Sequence, residues 1–164
     1  LADYHLPGFS GLDAWDRMRE RGKDLPFVIL SGAIGEAAAG RAGYVVLGFC
    51  DDMASVYAAA DLVLCRSGAS SLTELAHAGL PSILVPYPYA ADDHQTKNAR
   101  VFAAAGAAKL VQEADLDGAK LALLVKEILT QESVKRAMQQ AAFSLDVPDA
   151  AARVCAAMET TVKE

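Results

Sequence analysis

The sequence predicts an α/β fold in which helices cover both faces of an open, mainly parallel sheet of about five strands. Two short apolar runs, Leu62–Leu64 and Ser82–Pro86, have the length and composition of buried strands. Between them, apolar residues recur at helical spacing over Leu72–Ala78, and Gly79 stands where a helix end favours glycine. A strand, a helix and a second strand in this order are typical of the unit from which three-layer, Rossmann-like sheets are built.

Other parts of the chain repeat these two patterns. Three further apolar runs predict strands: Phe27–Leu30, Tyr44–Phe49 and Ala108–Val111. Amphipathic spacing between turn residues predicts six further helices: Leu12–Arg21, Met53–Ala59, Gln95–Ala105, Asp115–Thr130, Glu132–Phe143 and Asp149–Val162. The last helix has an apolar side that includes Val154 and Met158, so we expect it to pack on its own sheet or on a second chain.

The composition is typical of one globular domain of 164 residues, since 53% of the residues are hydrophobic and 22% are charged. The formal net charge of -6 argues against a nucleic-acid-binding surface. No apolar run approaches the roughly 18 residues that would predict a membrane span, and no signal peptide is visible. We therefore expect a cytoplasmic protein without a membrane span.

The cysteines and the paired acidic residues do not predict a metal site. Cys50, Cys65 and Cys155 are scattered without a CxxC pair, which is typical of buried thiols in a reduced cytosolic protein. Asp51 and Asp52 precede a predicted helix, and no further ligand stands at metal-binding spacing, so helix capping is the favoured interpretation. The sequence predicts neither a metal nor a cofactor.

The predicted binding site begins in the loop after the strand at Leu62–Leu64, because ligands of open parallel sheets bind at the carboxyl ends of strands. Ser70 and Ser71 stand at the start of the next helix, where free backbone N–H groups, the helix dipole and the hydroxyls favour an anion. Gly68 allows close backbone approach. Glu74 can accept two hydrogen bonds from a vicinal diol such as that of ribose. The alternative is that Ser70 and Glu74 form only a capping pair.

A second candidate loop, Tyr87–Gln95, follows the next strand. It carries Asp92, Asp93 and His94 just where the following helix begins. One of the two aspartates is interpreted as an N-cap. No Ser-His-Asp or Cys-His set stands at a sensible spacing, so no catalytic residue is predicted.

Three segments of this chain resemble the C-terminal domain of the MurG family: GFCDDMASVYAAADLVL, CRSGASSLTELAHAGLPSILVPYPYAADDHQTKNAR and AAAGAAKLVQEADL. That family comprises peptidoglycan N-acetylglucosaminyltransferases with a two-domain GT-B fold. The resemblance covers about residues 44–164 and implies that this part binds UDP-N-acetylglucosamine or UDP. It also implies that Glu74 holds the ribose hydroxyls and that Ser70 and Ser71 lie at the diphosphate.

The same resemblance implies the remaining contacts. Gln95, together with His94 and Thr96, would face the sugar. Phe49 and Met53 would lie near the uracil. In that family the acceptor and the general base belong to the other domain, so we expect nucleotide-sugar binding without catalytic turnover.

The first part of the chain resembles a different family. Residues 1–39 contain DYHLPGFSGLDAWDRMRERGKDLPFVILSGAIGEAAA, which is similar to the middle of a response-regulator receiver domain. This resemblance implies that Asp3 is the phosphoacceptor and that Ser31 senses the phosphoryl group. The acidic pair that binds Mg²⁺ and the lysine of that family are missing, so we do not expect phosphorylation of Asp3.

The chain is therefore interpreted as a chimera that forms one α/β domain, residues 1–164, with a junction near residues 37–43. A βα piece of one parallel sheet can complete another, because their crossovers share one hand. One hypothesis is that Phe27–Ser31 replaces a lost strand of the nucleotide-binding sheet and brings Ser31, Gly32 and Gly35 near the phosphate site. The favoured alternative is that this loop only turns the chain.

The residues leave two main functions open. The first is a UDP-N-acetylglucosamine-binding module without turnover, and the second is a purely structural recombinant fold with no activity. A phospho-receiver signalling module is a weaker third. A homodimer could form through an exposed sheet edge or through the last helix.

Overall fold

A computed structural model of the chain describes Val28–Ile29 and residues 50–161. Several predicted features lie outside these residues: the phosphoacceptor Asp3, the uracil contact Phe49, the loop residues Ser31, Gly32 and Gly35, the helix Leu12–Arg21, the strand Tyr44–Phe49 and the junction at 37–43.

The described strands form one parallel sheet. They are β1 (Val28–Ile29), β2 (Val63–Cys65), β3 (Ser82–Leu84) and β4 (Ala108–Leu110), hydrogen-bonded in that order. Val63 pairs with Ser82, which in turn pairs with Ala108. Because every pairing is parallel, the strands end at one side of the sheet, here called the carboxyl edge.

The sheet is smaller in the described part of the chain than we predicted. Three strands lie within residues 50–161, and the two-residue β1 makes a fourth, against about five expected. The fifth predicted strand, Tyr44–Phe49, lies outside the described residues. The pairing of Val28 with Val63 shows that the predicted strand at Phe27–Leu30 joins this sheet, and its position beside β2 could not be predicted from the sequence.

The helices surround the sheet at nearly the predicted positions. They are α1 (Met53–Ala59), α2 (Ala69–Ala78), α3 (His94–Ala105), α4 (Gly118–Thr130), α5 (Glu132–Ser144) and α6 (Ala150–Thr161). We predicted that α4 begins at Asp115, but Asp115 belongs to a separate 3₁₀ turn. The Asp117 carboxylate accepts a hydrogen bond from the backbone N–H of Lys120 at 2.7 Å and so caps α4 at a later residue.

Side chains of β2 alternate between two apolar clusters on opposite faces of the sheet, as strand geometry requires. Leu64 packs in the cluster that includes Val125 of α4. Cys65 packs in the other cluster, with Leu75 of α2 and Phe102 of α3. This arrangement confirms the prediction of an α/β fold with helices on both faces.

The last helix, α6, departs from the prediction. Its side chains from 150 to 160 are all exposed, including Val154 and Met158, so α6 does not pack on its own sheet. Helices α1, α2, α3 and α5 pack in one apolar cluster, and α4 and α5 pack in the other, so helices already cover both faces of the described sheet. Packing on a second chain stays a prediction. Within the described residues, no helix has both the length and the apolar character needed to cross a membrane.

Candidate functional site

The two predicted loops meet at the carboxyl edge through Ser67, which is fully buried just after β2. The Ser67 hydroxyl donates to the backbone carbonyl of Gln95 at 2.8 Å. The side-chain amide of Asn98, on α3, donates back to the backbone carbonyl of Ser67 at 3.2 Å. These bonds tie the loop that leads into α2 to the first turns of α3.

The N-terminus of α2 is open. Gly68 is the N-cap, and the first helical hydrogen bond runs from the N–H of Leu72 to its carbonyl at 3.1 Å. The three N–H groups of Ala69, Ser70 and Ser71 have no partner among the described residues. A Cβ built on Gly68 would meet nothing within 4 Å. Free donors, the positive end of the helix dipole and empty space therefore coincide here.

The alternative of a Ser70–Glu74 capping pair is wrong. The N-cap position belongs to Gly68, which has no side chain to cap with. Glu74 instead lies on the second turn of α2, where its Oε2 accepts a hydrogen bond from the Tyr57 hydroxyl at 2.7 Å. The carboxylate is exposed, whereas Tyr57 is only 6% exposed.

Burial at this end of β2 shifts the ionisation of two neighbours of Glu74. Burial, reinforced by the Glu74 carboxylate, raises the pKa of Tyr57 well above its usual range. The same two causes raise the pKa of the Cys65 thiol to about 12. Both groups therefore stay protonated at neutral pH, and the Tyr57 hydroxyl is a donor toward Glu74.

The second loop positions Gln95 by a side-chain bond. Its Oε1 accepts a hydrogen bond from the backbone N–H of Tyr87 at 3.0 Å, which leaves the amide N–H groups as donors. His94 Nδ1 donates to the carbonyl of Ala91 at 2.7 Å. Asp93 occupies the N-cap position of α3 as predicted for one of the aspartates, but its side chain makes no capping bond.

Asp92 and Asp93 both adopt left-handed backbone conformations, with φ of 52°. Aspartate tolerates this region better than most residues do. The pair produces the sharp turn that brings the chain into α3.

Two further predicted ligand contacts, Thr96 and Met53, are less exposed. Thr96 is only 5% exposed, so its hydroxyl offers little surface to a ligand. Met53, the first residue of α1, is half-buried and packs against the cluster that contains Tyr57. Their roles stay predictions.

The acidic pair before α1 acts as predicted. The Asp52 carboxylate accepts bonds from the Ser55 backbone N–H at 3.0 Å and from the Ser55 hydroxyl at 2.6 Å. These bonds hold the pKa of Asp52 below its usual value. In the part of the chain that the structure describes, no three His, Cys, Asp or Glu side chains gather as metal ligands.

Sequence reasoning missed Arg66, which directly follows β2 and reaches the start of the second loop. Its side chain is buried, donates to the carbonyl of Pro86 at 3.0 Å and forms an ion pair with Glu113 at 2.6 Å. The guanidinium also lies 5.4 Å from the ring centre of Tyr87. The available signal was a charged residue directly after a fully apolar strand, a position where burial demands a partner.

The site thus offers backbone and amide donors together with the exposed carboxylates of Glu74, Asp92 and Asp93. A parallel α/β sheet that presents an open helix N-terminus and a carboxylate at its carboxyl edge is typical of nucleotide-binding domains. The family can be stated as well. The chain belongs to the glycosyltransferase family 28 C-terminal domain, whose family model matches residues 27–154.

The family match begins at Phe27, so it includes β1 and overlaps the end of the segment that resembles a receiver domain. The receiver likeness of the preceding residues and the origin of the chain from two parents stay predictions.

Curated relatives support the same family. One relative is the UDP-N-acetylglucosamine–N-acetylmuramyl-(pentapeptide) pyrophosphoryl-undecaprenol N-acetylglucosamine transferase of Methylococcus capsulatus. The chain is 48% identical to it over 110 residues, and the alignment covers 65% of this chain and 31% of that protein. The chain is 43% identical over 149 residues to the protein of the same name from Sorangium cellulosum, covering 85% of this chain and 36% of that protein. The chain therefore spans about a third of the length of these relatives.

Solved structures agree with the fold. The crystal structure of Acinetobacter baumannii MurG matches with a TM-score of 0.66 and 38% identity, over 71% of this chain and 33% of that one. The kitacinnamycin glycotransferase matches with a TM-score of 0.57 over 87% of this chain and 37% of that one; at 21% identity this likeness shows the fold alone. The predicted resemblance to the C-terminal domain of MurG is confirmed.

Proposed function

We propose that this chain binds UDP-N-acetylglucosamine at the carboxyl edge of its sheet and does not transfer the sugar by itself. The observation that carries the proposal is the junction at Ser67, whose bonds to Gln95 and from Asn98 hold the two loops together. The start of α2 and the Gln95 side chain therefore belong to one site. The names of the Methylococcus and Sorangium relatives, as transferases of N-acetylglucosamine from this donor, support the choice of ligand.

The diphosphate would bind at the N-terminus of α2. The free N–H groups of Ala69, Ser70 and Ser71, with the two serine hydroxyls, supply donors at the positive end of a ten-residue helix. The open space at Gly68 allows the phosphate oxygens to reach these donors.

The two ends of the ligand would be held by different elements. Glu74 has one carboxylate oxygen bonded to Tyr57, and its other oxygen is available to a ribose hydroxyl. The amide N–H groups of Gln95, with His94, would face the sugar. Thr96 would contribute little, because it is nearly fully buried. The uracil would lie near Met53 and Phe49.

We propose binding without transfer for the residues that the structure describes. Glycosyl transfer needs donor, acceptor and general base in one cleft. Among the described site residues, His94 is bound to the carbonyl of Ala91, and no Ser-His-Asp or Cys-His arrangement is present. We expect no release of UDP when lipid-linked acceptor is added, and steady release would contradict this part of the proposal.

The binding part is tested by titration of UDP-N-acetylglucosamine, followed by calorimetry or by backbone amide NMR shifts. We expect saturable binding that Glu74→Ala abolishes. A matched control is Glu159→Ala, which removes another exposed helical glutamate on α6 and should leave binding unchanged. No heat and no shift at millimolar ligand would refute the proposal.

A further inference from the structure

We propose that Tyr57 is a positioning residue of the nucleotide site: its hydroxyl holds the Glu74 carboxylate in the orientation that receives the ribose diol. This inference rests on the proposed function and deepens it. It assigns a role to α1, a helix that contributes no donor to the phosphates.

The geometry of the pair is that of a rigid donor and a flexible acceptor. The Tyr57 hydroxyl lies 2.7 Å from Glu74 Oε2, and the two residues are 17 positions apart on separate helices. The tyrosine ring is buried in the cluster that contains Leu72 and Leu75. Packing on all sides therefore fixes the direction in which the hydroxyl points.

Glu74 needs such a support because it is exposed on α2. A free glutamate side chain samples many rotamers, and a ligand that orders it must offset that lost entropy. A bond from a hydroxyl to a carboxylate is charge-assisted and short, so Tyr57 orders the carboxylate before the ligand arrives. Glu74 Oε1 has no partner in the described part of the chain and stays available to the diol.

The competing explanation is that Glu74 merely satisfies the buried hydroxyl of Tyr57. The two explanations differ in which ligand atoms lose binding energy when the Tyr57 hydroxyl is removed. A positioning role acts only on the ribose hydroxyls, whereas a structural role affects the whole site. UDP and 2′,3′-dideoxy-UDP differ only in those hydroxyls and therefore separate the two.

The experiment compares Tyr57→Phe with the unmodified chain by titration of both nucleotides. We expect the variant to bind UDP roughly fivefold to tenfold more weakly, because the ligand must then order the Glu74 side chain itself, and to bind dideoxy-UDP unchanged. Ser55→Ala is the matched control, since it removes another hydroxyl–carboxylate bond near the start of α1 without touching Glu74.

An equal loss for both nucleotides, or unchanged UDP affinity, would overturn the inference alone. Failure of the unmodified chain to bind UDP would overturn the proposed function and this inference with it. A second measurement needs no variant: the Tyr57 hydroxyl proton should persist in NMR spectra and shift with UDP but not with dideoxy-UDP. Its disappearance with UDP would show that the ligand displaces Tyr57, which contradicts the positioning role.

Discussion

Arg66 and Glu113 form a buried ion pair with an N–O distance of 2.6 Å, in which the side chains are 6% and 19% exposed. Arg66 directly follows β2, and Glu113 begins the turn after β4. The same guanidinium donates to the carbonyls of Val85 and Pro86, which follow β3. One side chain therefore connects the ends of three adjacent strands at the edge where the proposed ligand binds.

Replacing Arg66 by Met should destabilise the fold strongly. The change leaves the Glu113 carboxylate and two carbonyls without their donor, and breaking a buried pair typically costs about 3 kcal/mol or more. The free energy of unfolding in urea measures this. Arg136→Ala is the control, because the pair of Arg136 with Glu132 is exposed and should be worth less than about 0.5 kcal/mol. Similar losses in both variants would contradict the role assigned to Arg66.

Gly79→Ala should destabilise the end of α2. Gly79 has a φ of 62°, and a Cβ at this position would overlap the ring of Phe143 on α5. The left-handed conformation alone costs a non-glycine residue roughly 1–2 kcal/mol, and the half-exposed ring can move aside at further cost. Thermal unfolding measures the effect. A melting temperature equal to that of the unmodified chain would show that the helix end can rearrange freely.

Gly68→Ala should weaken UDP binding without lowering the stability of the fold. Gly68 has a φ of -66°, which any residue adopts, and its Cβ would meet no atom of the protein. We expect the free energy of unfolding to be unchanged or to increase by up to about 1 kcal/mol. The new methyl group would occupy the approach to the α2 amides, so UDP affinity should fall at least about tenfold, equivalent to one lost phosphate contact. Unchanged affinity would place the phosphates elsewhere.

Cys65 should make the fold sensitive to alkali. Burial raises its pKa from 9.0 to about 12, so above pH 9 the folded chain keeps a proton that the unfolded chain releases. Stability that is fully present below pH 9 is therefore lost as the pH rises toward 12. Urea unfolding at several alkaline pH values should show this decline, with a shallower slope in Cys65→Ala. An identical slope in that variant would assign the decline to other groups.

Two of the three thiols offer an independent check of burial. Cys155 on α6 is exposed, whereas Cys65 is buried and protonated at neutral pH. A thiol-reactive probe at pH 8 should label Cys155 in the folded chain and leave Cys65 unmodified until denaturant is added, as mass spectrometry of peptides would show. Rapid labelling of Cys65 in the folded chain would contradict the packing of β2 against α2.

The sequence by itself determined the elements and the edge of the sheet where the site lies. All three residues of β2 are buried, and α2 buries Leu72, Leu75 and Ala76 at helical spacing, so the pattern of apolar residues predicted β2 within one residue and the end of α2 at its observed residue. Small residues at the start of α2 marked the proposed phosphate site, and the motif that includes Glu74 and Gln95 indicated the family. These are local properties of the chain, which is why they can be predicted without coordinates.

Only the tertiary structure decided which side chains meet. Tyr57 with Glu74 and Arg66 with Glu113 join residues from different elements, and no local spacing encodes such pairs. The exposure of α6 likewise depends on what already covers the sheet. Partners of this kind are set by how helices and strands pack against one another, because that packing brings distant parts of the chain within hydrogen-bonding distance.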